Sequence, residues 1–168
     1  GYTQKKGMVN VAAAGNENTD LAHKTTDSKS PNDSEPIPDR PIDETCLDIP
    51  TEIEGVITVS AIQQSGTKAG FSNYGKKSVD IAAPGVNIFS TLPMEGTQAM
   101  QEDGLIPAYG VLSGTSMASP HVAGVLALVW GMHPDWTMQQ VIDDVVNSAD
   151  PVSSLSTSIS TPRTSPPR

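Results

Sequence analysis

The feature that most constrains this chain is the run "MASPHVAGVLALVWGMH", Met117 to His133, where Val122, Val125, Leu126, Val129 and Trp130 recur at i, i+3, i+4, i+7 and i+8. Ala118, Ala123, Gly124 and Ala127 fill the positions between them, so neighbours can approach closely and the helix is expected to be buried on most sides. Pro120 has no N–H and is expected in the first turn, which places the helix start close to Ser116. A second, amphipathic helix follows in "PDWTMQQVIDDVVNSA", with Thr137 as N-cap and Gln140 completing a capping box.

The remaining apolar runs are short and punctuated by Gly and Pro, as strands are. "MVNVAAAG", Met8 to Gly15, ends in Gly-Asn and reads as a buried strand leaving its sheet through a tight turn. "GVITVSAI", Gly55 to Ile62, and "VDIAAPG", Val79 to Gly85, give two more strands, and "VNIFSTLP", Val86 to Pro93, an extended segment with one wet face. Between them "FSNYG" is turn chemistry, with Asn73 and Gly75 suited to positive φ. Residues 95–107 read as a loop. So does the stretch from Glu17 to Glu52, which collects Asp20, Asp27, Asp33, Glu35, Asp39, Asp43, Glu44, Asp48 and several prolines. Its carboxylates match no D-x-[DN]-x-[DN]-G spacing, so a solvated acidic loop is expected; no cofactor is certain and calcium stays open. Asn32-Asp33-Ser34 fits the N-glycosylation pattern, which arises often by chance.

At 168 residues, 36% of them apolar, the chain can bury one core. A formal net charge of −9 argues against nucleic acid or anionic lipid as a partner, and no apolar run approaches the roughly 18 residues of a membrane span. The single cysteine, Cys46, cannot close a disulfide within the chain and reads as a free structural thiol. Residues 153–168, rich in Ser, Thr and Pro, are expected to be a disordered tail behind a domain at 1–152. The opening "GYTQKKGMVNVAAAG" enters a strand almost at once, as expected of a segment cut from a longer chain.

Ser116 stands where this organisation gives a hydroxyl chemical meaning. At the start of a buried helix its own N–H is unpaired and the helix dipole favours negative charge, so an oxyanion formed beside it would be stabilised. Gly114 is expected to allow a sharp strand-to-helix turn that holds the Oγ exposed. Taken alone, an N-cap serine explains the same residue.

The strings in combination go further. "GTSMASPHVAG" resembles the nucleophile motif of the subtilisin-like serine proteases almost residue for residue. "VAAAGNEN" resembles the family's oxyanion strand, "FSNYG" its substrate-side turn, and "DIAAPGVNIFSTLP" the segment between that turn and the nucleophile. The order of all four agrees, over about Gly1 to Val152. The resemblance implies an α/β three-layer sandwich with a mainly parallel sheet and helices on both faces. It implies that Ser116 attacks a scissile carbonyl and that the side-chain amide of Asn16 donates to the oxyanion alongside the Ser116 N–H. It places Ala13, Ala14 and Gly15 on one wall of the substrate pocket, and Phe71 and Leu112 on the leaving-group side of the cleft, where a core role for each is an open alternative. It also implies a protein or peptide substrate and an extracellular or cell-surface setting. The near fit to the G-x-S-x-G elbow of α/β-hydrolases fails, because no acid lies between Ser116 and the last histidine, His133.

The family's aspartate and histidine motifs would both precede Asn16, and neither is in this sequence. Three histidines remain. His121 lies five residues after Ser116, about 500° round the helix, and so points away from the Oγ. His23 falls in the acidic loop and His133 at a helix end. Two readings stay open: the C-terminal portion of a serine endopeptidase whose Asp and His lie on an N-terminal segment of the same domain, or a protease-derived remnant that binds peptides or partner proteins without cutting them.

Overall fold

The computed structural model describes residues 1–27, 29, 35, 37–43 and 45–151. The Asn32 glycosylation match, Glu44 and the tail at 153–168 lie outside them. In chain order the elements are α1 (Tyr2–Lys5), β1 (Asn10–Ala13), β2 (Thr26–Asp27), β3 (Arg40–Pro41), β4 (Val56–Ile62), β5 (Ile81–Pro84), β6 (Ile88–Thr91), α2 (Gln98–Glu102), β7 (Tyr109–Leu112), α3 (Thr115–Met132) and α4 (Met138–Ser148).

β4 is the middle of a three-stranded parallel sheet in the order β1-β4-β5, with Ala12 opposite Thr58 and Ser60 opposite Ala82. Its two faces are chemically different, and the sequence V-I-T-V-S-A-I shows why. Ile57, Val59 and Ala61 join a core with Ala118, Val122 and Leu126 of α3 and Val141 and Val145 of α4. Thr58 and Ser60, both fully buried, point the other way and donate their hydroxyls to the carbonyls of Thr51 and Asn73, each at 2.6 Å. Buried hydroxyls need partners, and here irregular backbone supplies them. The layers are thus helix, sheet and loop: where the resemblance implied helices on both faces, the second face carries residues of the 17–52 and 71–79 segments among those described. The α/β class with a mainly parallel sheet stands.

Gly85 sets how closely α3 can lie on the sheet. A Cβ there would stand 2.6 Å from the Ala61 Cβ, 2.8 Å from the Gly114 carbonyl and 3.2 Å from the Ala118 Cβ. Any side chain would push the start of α3 away.

Several expectations change. α3 is covered on one face only: Val125, Leu128 and Met132 are exposed at 46%, 72% and 77%. The apolar pattern was right about the helix and wrong about how much of it these residues cover. Pro120 falls in the second turn, because α3 already starts at Thr115; the carbonyl of Ser116 therefore lacks its usual i+4 N–H donor. The 95–107 loop contains α2, capped by Thr97, whose hydroxyl accepts from the Met100 N–H at 3.2 Å. The helical turn α1 precedes β1. β6 pairs antiparallel with β7, which the sequence did not distinguish from loop. α4 begins as expected, with the Thr137 N–H donating to Gln140 Oε1 at 2.8 Å.

The long acidic loop is tied down from inside. Lys24, 8% exposed, donates to the Cys46 carbonyl at 2.6 Å and pairs with Glu52, which also accepts from the Asp48 N–H at 2.7 Å. The two-residue pair β2 and β3 adds an Arg40–Asp27 bridge, its atoms at hydrogen-bond range. Burial pushes the Asp48 carboxyl above its usual range, against the opposing effects of a Thr51 hydrogen bond and the Lys24 charge.

Candidate active site

The chain reaches Ser116 through a locked corner. The Ser113 hydroxyl accepts from the Asn87 N–H at 2.8 Å and the Gly114 N–H donates to the Gly85 carbonyl at 2.8 Å, so the end of β7 is pinned to the turn between β5 and β6. Gly114 itself is in extended backbone, with φ 163°, which any residue can adopt. The sharp turn expected of it is therefore not what requires glycine. Thr115 opens α3, and the N–H groups of Met117 and Ala118 both turn back to the Gly114 carbonyl. The Ser116 N–H, in the first turn, has no acceptor within the helix.

Asn16 arrives from the other side, just beyond β1. Its Oδ1 accepts from the Thr115 N–H at 2.9 Å and from the Thr115 hydroxyl at 3.0 Å. The same hydroxyl accepts from the Gly15 N–H at 3.1 Å. With Oδ1 occupied, the donor end of the amide is the one left beside Gly114. A methyl carbon on Gly114 would stand 3.5 Å from Asn16 Nδ2 and 3.7 Å from the Ser116 backbone nitrogen. Asn16 Nδ2 and the Ser116 nitrogen thus converge, together with Met117 Sδ at 3.6 Å, on one point above Gly114, next to an exposed serine hydroxyl at a helix N-terminus.

Ser116 also lines a cleft of about 360 Å³ with Leu112, Phe89, Met117, Pro120 and His121. The histidines have their own local partners. His121 Nδ1 lies 2.8 Å from the Met117 carbonyl oxygen, His23 Nδ1 lies 3.1 Å from Asp20 Oδ2, and His133 stacks on Trp136 at 3.9 Å.

The family model described as the Subtilase family matches residues 1–164. This chain belongs to the subtilase family. The subtilase chain is 36% identical over 143 residues to Subtilisin amylosacchariticus of Bacillus subtilis subsp. amylosacchariticus, covering 85% of this chain and 29% of that one. It is 43% identical over 95 residues to the thermostable alkaline protease of Halalkalibacterium halodurans, covering 56% and 23%. Among solved structures, that of a lanthipeptide protease superposes with a TM-score of 0.61 at 23% identity, over 83% of this chain and 42% of that one; this likeness bears on the fold. The subtilase chain thus spans under a third of the length of those curated relatives.

The residues singled out in the sequence of this subtilase fall into three places. Ser116, Asn16 and Leu112 meet around the N-terminus of α3 and its cleft. Ala13, Ala14 and Gly15 border a separate cavity of about 430 Å³ with Lys24, Asp48 and Asn73, and Ala14 is fully buried against Leu21 and Val79. Phe71 borders neither; it is half-buried against the main core, and its carbonyl accepts from the Asn18 N–H at 2.7 Å. Among the described residues no group of three or more His, Cys, Asp or Glu could hold a metal ion, and no helix is long and apolar enough to cross a membrane.

Two residues of the site were missed. The sequence assigns Thr115 no role, and Asn73 only that of a turn residue suited to positive φ. Asn73 is not among the positive-φ residues and is 3% exposed. The one sequence signal was that each sits inside a string resembling the family's motifs.

Proposed function

We propose that this chain carries the nucleophile and the oxyanion-binding side of a serine endopeptidase. The observation that carries this reading is the convergence of the Asn16 amide and the Ser116 N–H beside Gly114, next to the exposed Ser116 hydroxyl. In this mechanism the Ser116 Oγ bonds to the scissile carbonyl carbon as its proton passes to a general base. The carbonyl oxygen takes up the negative charge and accepts from the two N–H groups. Collapse breaks the C–N bond, the base returns the proton to the leaving amine, and water releases the acyl-enzyme by the same route.

The base and its orienting carboxylate belong to an N-terminal segment of the same domain, which is this chain's first partner. The apolar face of α3 at Val125, Leu128 and Met132 and the edge position of β1 in the sheet support that partner. Without it the chain keeps at most the residual catalysis of an enzyme lacking its triad, roughly 10³–10⁴ over water. Ala13, Ala14 and Gly15 wall the pocket for the side chain preceding the cleaved bond and Leu112 serves the leaving-group side, while Phe71, packed against the main core, takes the core role that was its alternative. The substrate is a protein or peptide, the setting is extracellular or at the cell surface, and the peptidase portion ends near residue 152.

A second reading, a non-catalytic remnant that binds peptides or partner proteins, draws on one observation: His23 and His133 are engaged with Asp20 and Trp136, and His121, although it lines the Ser116 cleft, has its Nδ1 on the Met117 carbonyl. A fluorophosphonate probe separates the two. Labelling of the complete natural polypeptide that is lost in Ser116→Ala supports the peptidase; a folded polypeptide that takes up no probe supports the remnant.

A further inference from the structure

We infer that Asn73 is the positioning residue of the oxyanion site, a role that rests on the peptidase reading. Its side chain uses every hydrogen-bonding capacity it has, and all four bonds go to the turn around Asn16. Oδ1 accepts from the Glu17 N–H at 3.1 Å and the Thr19 N–H at 2.8 Å. Nδ2 donates to the Ala14 carbonyl at 2.9 Å and to Glu17 Oε2 at 2.7 Å. The Asn73 N–H adds a bond to the Gly15 carbonyl at 3.0 Å. Residues 14, 15, 17 and 19 are therefore held, and Asn16 between them is left to Thr115. The clamp is anchored in turn, since the Asn73 carbonyl accepts the Ser60 hydroxyl at 2.6 Å and the Ser72 hydroxyl at 3.0 Å. Gly15 is the complementary half. At φ +99° its Cβ would stand 2.4 Å from Asn73 Nδ2, so only glycine lets the amide pass close enough to reach both sides of the turn.

A buried amide with this bonding has a role distinct from packing. It fixes where the Asn16 amide sits relative to the Ser116 N–H, and misplacement by about an ångström is enough to cost on the order of 10²-fold in rate. Asn73→Asp keeps the acceptor for Glu17 and Thr19 but replaces the donor with a carboxylate facing Glu17 and the Ala14 carbonyl. Asn73→Ser removes most of the clamp.

The test is a double-mutant cycle in the complete natural polypeptide, with kcat and KM measured on a peptide substrate and a thermal melt for each variant. Asn73→Ser and Asn73→Asp are each expected to lower kcat by about ten- to a hundredfold with KM within about threefold. In an Asn16→Ala background, the same changes are expected to lower kcat less than about threefold, because the group they position is gone. Equal losses in both backgrounds, or no loss in either, overturn the inference while leaving the peptidase reading intact. A parent polypeptide that is folded but inert toward both substrate and fluorophosphonate overturns both.

Discussion

The N–H and the hydroxyl of Thr115 end on one atom, Asn16 Oδ1, at 2.9 and 3.0 Å. The first residue of α3 thereby decides which end of the Asn16 amide faces away. Thr115→Val keeps the shape but removes the hydroxyl, and leaves the Gly15 N–H without its acceptor. It is expected to lower kcat about tenfold with little change in KM, whereas Thr115→Ser stays within about threefold of the parent. Steady-state kinetics on the complete polypeptide check both.

Asn16→Ala removes the donor and is expected to lower kcat by about 10²–10³, the loss subtilisin itself suffers when such a donor is removed. Asn16→Asp is the sharper comparison. It preserves both bonds to Thr115 yet brings a negative charge to the place where one must form, so its kcat should fall at least as far as that of Asn16→Ala.

Gly114→Ala and Gly15→Ala should separate function from folding. At Gly114 the backbone is extended and a Cβ meets nothing closer than 3.5 Å, so the melting temperature should hold while the methyl stands against Asn16 Nδ2 and the Ser116 nitrogen and kcat falls. At Gly15 the positive φ and the contact with Asn73 make the same change costly to folding. Equal melting losses for the two variants would contradict this division.

Breaking the Lys24–Glu52 pair by Lys24→Met leaves a carboxylate that is only 14% exposed without its cation, and the expected loss of stability lies at the lower end of the roughly 3–5 kcal/mol for one partner of a buried pair. Replacing both partners with apolar residues should recover part of it. Denaturant melts of the two variants decide the matter.

Asp48 gives a pH dependence with a definite sign. Its carboxyl is raised above the ordinary value chiefly by burial, so the folded protein holds this proton more tightly than the unfolded chain. Asp48 therefore opposes folding at neutral pH, and its unfavourable contribution fades as pH falls through the folded value toward the unfolded one. Asp48→Asn, which leaves in place the main-chain carbonyl that accepts the Thr51 hydroxyl at 2.9 Å, should melt higher than the parent at pH 7, and the gap should narrow on acidification.

Much of this was legible locally. The strands around Val11, Val59 and Ala82, both long helices and the Thr137–Gln140 cap follow from periodicity and end signals that operate within a few residues. The short elements α2 and β7 did not stand out, because four or five residues carry too little pattern; β7 is a strand because β6 offers it hydrogen bonds. The exposed face of α3 escaped for a related reason, since an apolar pattern tells what a helix needs and not what its neighbours provide. Around Ser116 the strings pointed to Ser116 and Asn16, and the structure brings Asn16 onto the first residue of α3, next to Ser116. The bonds that hold Asn16 in place join residues about a hundred positions apart to Thr115, and the Asn73 bonds span more than fifty. No local reading reaches that far.

The two faces of β4 carry a further consequence. One face seats α3, and with it Ser116; the other, through the Ser60 hydroxyl, holds Asn73 and the turn that carries Asn16. Ser116 and Asn16, the proposed nucleophile and oxyanion donor, are thus positioned from opposite sides of a single strand, which acts as their common datum. Insertions in the acidic loop or changes at the far end of α3 can accumulate without altering the gap between them, whereas a slip of β4 by one residue would exchange its faces and cost the molecule both measurements at once.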